Sequence, residues 1–143
     1  MLLQVSYYSR EKEKAINDLV GKPFGWRQRF RMGGVGSQRM LVEEANPEIK
    51  ELLSLHNLPP FTNIELRPKG IIFWFRILLD NYVLVLPYYK LSVFQNGNQL
   101  SVFADEWKVK LIPAHRAKLK TRFVQQMLEL KATASTGSRH PDV

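Results

Sequence analysis

Cysteine is absent from all 143 positions. Without it the chain has no disulfide framework, thiolate zinc site, iron–sulfur cluster or cysteine nucleophile, which fits a reducing compartment. Long apolar runs are missing as well. The most apolar stretch, Ile71 to Leu79, carries Arg76 inside it and is followed by Asp80 and Asn81, far short of the roughly 20 apolar residues that span a bilayer. The opening Met1-Leu2-Leu3-Gln4-Val5 is too brief for the core of a secretion signal, and Glu11, Lys12, Glu13 and Lys14 follow soon after. No transmembrane segment is expected, and the expected location is the cytoplasm. Histidine is scarce: His56, His115 and His140 lack the spacing of metal ligands. There is no Gly-x-Ser-x-Gly elbow, and the acid pairs Glu43-Glu44 and Asp105-Glu106 are sequence neighbours whose side chains splay apart. The expectation is a non-enzyme with no metal and no cofactor.

Acidic residues are also in deficit. Thirteen Asp and Glu face 21 Lys and Arg, a net charge of +8, with a pI near 9.9. Hydrophobic residues at 45% and charged residues at 24% are ordinary for a globular chain, and the length suits one domain. We expect that domain over residues 1–132, followed by a small, polar, mobile tail at 133–143.

Ser9 is placed to cap a helix over Arg10 to Val20, with Ala15, Ile16, Leu19 and Val20 as its buried stripe and Gly21 as its stop. Trp26 to Met32 alternates strictly. It reads as a strand with Trp26, Gln28, Phe30 and Met32 on one face and Arg27, Arg29 and Arg31 on the other. Gly33-Gly34-Val35-Gly36-Ser37 breaks it, and Arg39 to Glu43 reads as a returning strand. Asn46-Pro47-Glu48 starts a helix that runs to His56, ahead of Pro59-Pro60. From Asn63 the period is two, giving strands at Ile64–Arg67, Ile71–Leu78, Tyr82–Leu86, Tyr88–Phe94, Gln99–Ala104 and Trp107–Ile112. Asn96-Gly97-Asn98 marks the clearest hairpin. A closing amphipathic helix is expected over Ala114 to Ala132, with Leu119, Phe123, Met127 and Leu130 on one stripe. Phe73, Phe75, Ile77, Val93, Val102, Val109 and Leu111 form the inner face that it covers.

This meander and closing helix, from Asn63 to Ala132, resembles the later part of a pleckstrin-homology-like domain. The stretch from Lys69-Gly70-Ile71 through Leu86-Pro87-Tyr88-Tyr89-Lys90-Leu91-Ser92 is similar to small bacterial domains of this kind with no established activity. The resemblance implies a mainly β (α+β) fold of about seven antiparallel strands in two sheets, closed by a C-terminal helix, here with N-terminal helical additions. It also implies a phosphate-contacting basic motif on the first strands, which Lys22, Arg27 and Arg29 match loosely.

Three surfaces are candidates for binding. Arg27, Arg29 and Arg31 on one strand face, with Lys22 and Arg39 nearby, could converge on an anion. The plainer alternative is a solvated face whose long stems cover apolar surface. Lys108 and Lys110 lead into a second cluster at Arg116, Lys118, Lys120 and Arg122, where cations sit against the positive end of a helix. Neither set has a compensating acid evident beside it. The third surface is Ile72, Trp74, Arg76 and Leu78, an apolar row that needs a cover, either the N-terminal segment or another chain. The glycine run lacks both the Walker and the dinucleotide pattern and reads as a loop. The expected role is a non-catalytic binding module for another protein or a second copy of itself. The alternative is a charge-driven binder of membrane headgroups or nucleic acid, and an enzyme with an unrecognised site comes third.

Overall fold

The computed structural model describes residues 1–7, 9–54, 60–77 and 79–138. Ser9 caps α1 (Arg10–Val20) by accepting from the Lys12 N–H, and Gly21 ends it at φ 87°. The segment expected as a basic strand is instead a helix, α2 (Trp26–Met32). Two hydrogen bonds close it: Gly33 N–H donates to the Phe30 carbonyl and Gly34 N–H to that of Arg29. With Gly33 in the left-handed region at φ 77°, this is a Schellman cap. Arginine, glutamine and methionine favour a helix, and the alternation also places Trp26 with Phe30 and Arg27 with Arg31 one turn apart. The glycine run is thus a helix stop.

Eight strands follow the order β1-β5-β4-β3-β2-β8-β7-β6, every neighbouring pair antiparallel. They are β1 (Leu2–Gln4), β2 (Met40–Ala45), β3 (Phe61–Leu66), β4 (Gly70–Ile77), β5 (Asp80–Pro87), β6 (Ser92–Asn96), β7 (Gln99–Ala104) and β8 (Trp107–Pro113). The two halves, β1-β5-β4-β3 and β2-β8-β7-β6, meet along a narrow seam in which β2 and β3 pair only at Met40↔Thr62 and Leu41↔Phe61. Beyond it, the chain after α2 occupies the vacated edge of β3: Ser37 N–H donates to the Ile64 carbonyl, and Leu66 N–H to that of Val35. Helix α3 (Pro47–Ser54) lies between β2 and β3 in sequence; His56 and Leu78 lie outside the described residues.

Asp80 and Asn81, expected as a joint, belong to β5, and Tyr88–Lys90, expected as strand, is a 3-10 turn. The closing helix also starts later. Ala114–Arg116 is a 3-10 turn, and α4 runs over Thr121–Ser138, so Thr133 to Ser138 are helical rather than tail. Pro113 ends β8, and both His115 and Arg116 take positive φ, 57° and 58°, turning the chain away before a helix can begin. Leu119, Phe123, Val124 and Met127 join Phe73, Phe75, Val102, Val109 and Leu111 in the main core. Val93 of the expected inner face is only half-buried against it. The core encloses Tyr88, whose hydroxyl donates to the Arg67 carbonyl and whose phenol is pushed well above its ordinary pKa by burial. Among the described residues, no helix is long and apolar enough to cross a membrane.

Candidate functional site

The outer face of the β1-β5-β4-β3 half is divided in two. At one end α1 and the N-terminal strand cover it: Ile16 and Val20 pack on Ile72, Val83 and Val85, and Ile72 is fully buried. The close approach is possible because β4 starts at Gly70, where a Cβ would lie 2.4 Å from a Val20 methyl carbon and from the Leu86 carbonyl. The expected cover for the Ile72–Trp74 row is therefore the N-terminal segment, but it stops short. Trp74 remains 38% exposed, and Arg76 is exposed.

The uncovered end is a cleft of about 330 Å³ lined by Arg39, Phe61, Asn63, Trp74, Phe75, Arg76 and Asn81. The register makes it: Asn63 lies opposite Trp74, and Arg76 opposite Asn81. Even-numbered residues of β4 and odd-numbered residues of β3 share this face because strand side chains alternate. Arg39 enters from the start of β2, its guanidinium 4.3 Å from the Phe61 ring centroid, a cation–π contact. Its backbone is fixed by the Ala114 N–H, which donates to the Arg39 carbonyl at 2.9 Å. The His115 ring lies 5.9 Å from that of Phe61 on the same side. The strained pair His115–Arg116 therefore sits beside the cleft, where function most often keeps such backbone.

Glu65 stands next to the cleft but is engaged elsewhere. One oxygen accepts from the Trp74 indole N–H at 2.9 Å and the other from Arg67, whose guanidinium also reaches Asn17 and the Gly21 carbonyl. The indole is thereby held across the face rather than swinging free. Among the described residues the lining brings together the Arg39 and Arg76 guanidiniums, two carboxamides and the rings of Phe61 and Trp74, with Phe75 reaching it from the core side, and no carboxylate.

The first basic cluster is divided by the fold. Arg39 belongs to the cleft, whereas Arg27, Arg29 and Arg31 are exposed on α2, and Lys22 borders a depression shared with Gln28 and Lys69. The second cluster is divided too, and its strand portion is partly neutralised. Glu44 of β2 pairs with Lys108 at 2.6 Å and Lys110 at 3.5 Å. The acid missing from the local sequence is supplied by the neighbouring strand. The Lys108 hydrogen bond, together with the two positive charges, holds the Glu44 carboxyl below its ordinary range. Arg116 lies in the turn after β8, and Lys120 in a loop tied by Gln38, which accepts from Lys120 N–H and donates to the Lys118 carbonyl. The sequence alone does not point to Phe61, Asn63 or Asn81 as cleft walls. The signal was the strand register, which requires the turn positions on both sides of β4. No group of His, Asp and Glu that could hold a metal occurs among the described residues. The chain matches no known family, and neither curated proteins nor solved structures provide a match.

Proposed function

We propose that the chain is a non-catalytic, pleckstrin-homology-like binding module that takes an acidic segment of another protein into the cleft between Arg39 and Arg76. The architecture supports the first part: β2 to β8 supply seven antiparallel strands in two halves, followed by α4 against the core. β1, α1, α2 and α3 are then additions to that plan.

The observation that carries the functional reading is the joining of Arg39, Trp74 and Arg76 in one cleft, although the sequence separates them by a helix and a strand. Guanidiniums recognise carboxylates through paired, charge-assisted hydrogen bonds, each contributing about 1.5–3 kcal/mol. The rings of Phe61 and Trp74 give an apolar floor for the stem of the acidic residue, and Asn63 and Asn81 offer donors and acceptors to an extended backbone. The described lining is made of guanidiniums, carboxamides and rings, groups suited to recognising an acidic segment.

Selection from a random displayed-peptide library tests this reading. The expected result is enrichment of Asp- and Glu-containing peptides whose affinity falls at least tenfold in Arg39→Glu. The variant is safe for folding because Arg39 is exposed. Enrichment of basic or purely apolar peptides, or acidic peptides that bind Arg39→Glu unchanged, would contradict the proposal.

A further inference from the structure

We propose that α2 is a membrane-contact helix that seats Trp26 and Phe30 in the headgroup region of an anionic bilayer while Arg27, Arg29 and Arg31 meet lipid phosphates. Helix α2 buries none of its residues. Trp26 is 75% and Phe30 88% exposed, and a spacing of four places both aromatics on one side of the helix.

Several cations lie around them. Besides its three arginines, α2 has Lys22 and Lys69 beside its first turn and the Arg122 guanidinium over Gly33 at its end, where an added Cβ would meet it at 3.4 Å. Among the described residues, none of these six cations forms an ion pair. A short helix with exposed Trp and Phe and a surround of Lys and Arg has the composition of an element lying in a membrane interface. The anionic surface supplies counter-charge for the cations and an apolar layer for the rings in one partner.

The rest of the helix is held in place. Gln126 of α4 donates to the Met32 carbonyl at 2.6 Å, and Arg29 Nε–H donates to the Phe24 carbonyl. The aromatic side is therefore presented on an anchored backbone, and seating it requires no refolding. Nucleic acid fits less well: the Arg27 guanidinium already lies 5.2 Å from the Trp26 ring centroid, on the ring face a stacking base would use.

Sedimentation with vesicles tests the proposal, using phosphatidylcholine alone and phosphatidylcholine mixed with phosphatidylglycerol, and tryptophan emission as a second readout. The expected result is partitioning to the mixed vesicles only, with a blue shift of emission. Trp26→Ser with Phe30→Ser should lower the partition coefficient tenfold or more, since about two large apolar side chains leave the interface. Arg27→Glu with Arg31→Glu should lower it by at least about fivefold per charge removed. Lys14→Glu, on α1 and exposed, should change it much less. All four substituted α2 side chains are exposed, and circular dichroism confirms that each variant folds. Absence of binding to the mixed vesicles, binding unaffected by loss of Trp26 and Phe30, or tighter binding to single-stranded RNA than to vesicles would overturn it.

Discussion

Glu44 lies between Lys108 and Lys110 across the β2–β8 pairing, and it changes the meaning of both lysines. Read from the sequence, they belong to an uncompensated basic run; in the fold they are half of a charge network. The network is exposed, so its contribution to stability is small, but its titration is informative. The Glu44 pKa is lowered, first by the Lys108 hydrogen bond and then by the lysine charges. A carboxyl whose folded pKa lies below its unfolded value stabilises the fold above the unfolded value, and that contribution fades as pH falls through the folded one. Carbon NMR of the side-chain carboxyl should therefore find Glu44 titrating below the ordinary glutamate value, and Lys108→Ala should move it back up. An unshifted Glu44 would mean that the pair does not form in solution. Arg39 is the opposite case. Its partner is the Phe61 ring, and among the described residues no carboxylate lines the cleft beside it. Residue by residue, the sequence supplies the cations and the register decides which of them meet Glu44.

Among the elements, period-two patterning was legible where neighbouring strands enforce it. Gln99–Ala104 has the expected bounds, and β3, β4, β5 and β8 differ from expectation by only a few residues at their ends. Helix α1 coincides with Arg10–Val20 because capping and stop residues flank an apolar stripe. Alternation fails in α2, where it is compatible with either period, and the Gly33-Gly34 stop and absence of a pairing strand decide the outcome. At the other end, Leu119 and Phe123 carry the burial expected of the closing helix, but the two positive-φ residues after Pro113 delay its start. Phe123 is 8% exposed and sits in the main core beside Val124 and Met127. Phe123→Ala should thus cost about 3–5 kcal/mol in chemical denaturation. A cost below about half a kcal/mol, the scale of a surface substitution, would mean that α4 is not packed on the sheet.

At the scale of the whole molecule, the fold makes its cleft by leaving one outer sheet face half-covered. Helix α1 is long enough to shield Ile72, Val83 and Val85 and stops short of Trp74, Arg76 and Asn81, which line the cleft with Arg39. The need for a cover on that face was visible in the apolar row of β4; where the cover ends was not, because it depends on tertiary placement rather than local pattern. Helix α2 lies on another part of the surface, beside α4, so a partner in the cleft and a contact at α2 use different residues. The most direct measurement is an amide NMR titration of the isotopically labelled chain with a library-selected acidic peptide. The account predicts saturable shifts concentrated at Arg39, Phe61 to Asn63, Trp74 to Arg76 and Asn81, with the Trp74 indole N–H among the largest. Shifts centred instead on Lys108 and Lys110, or spread evenly over the basic surface without saturation, would contradict it.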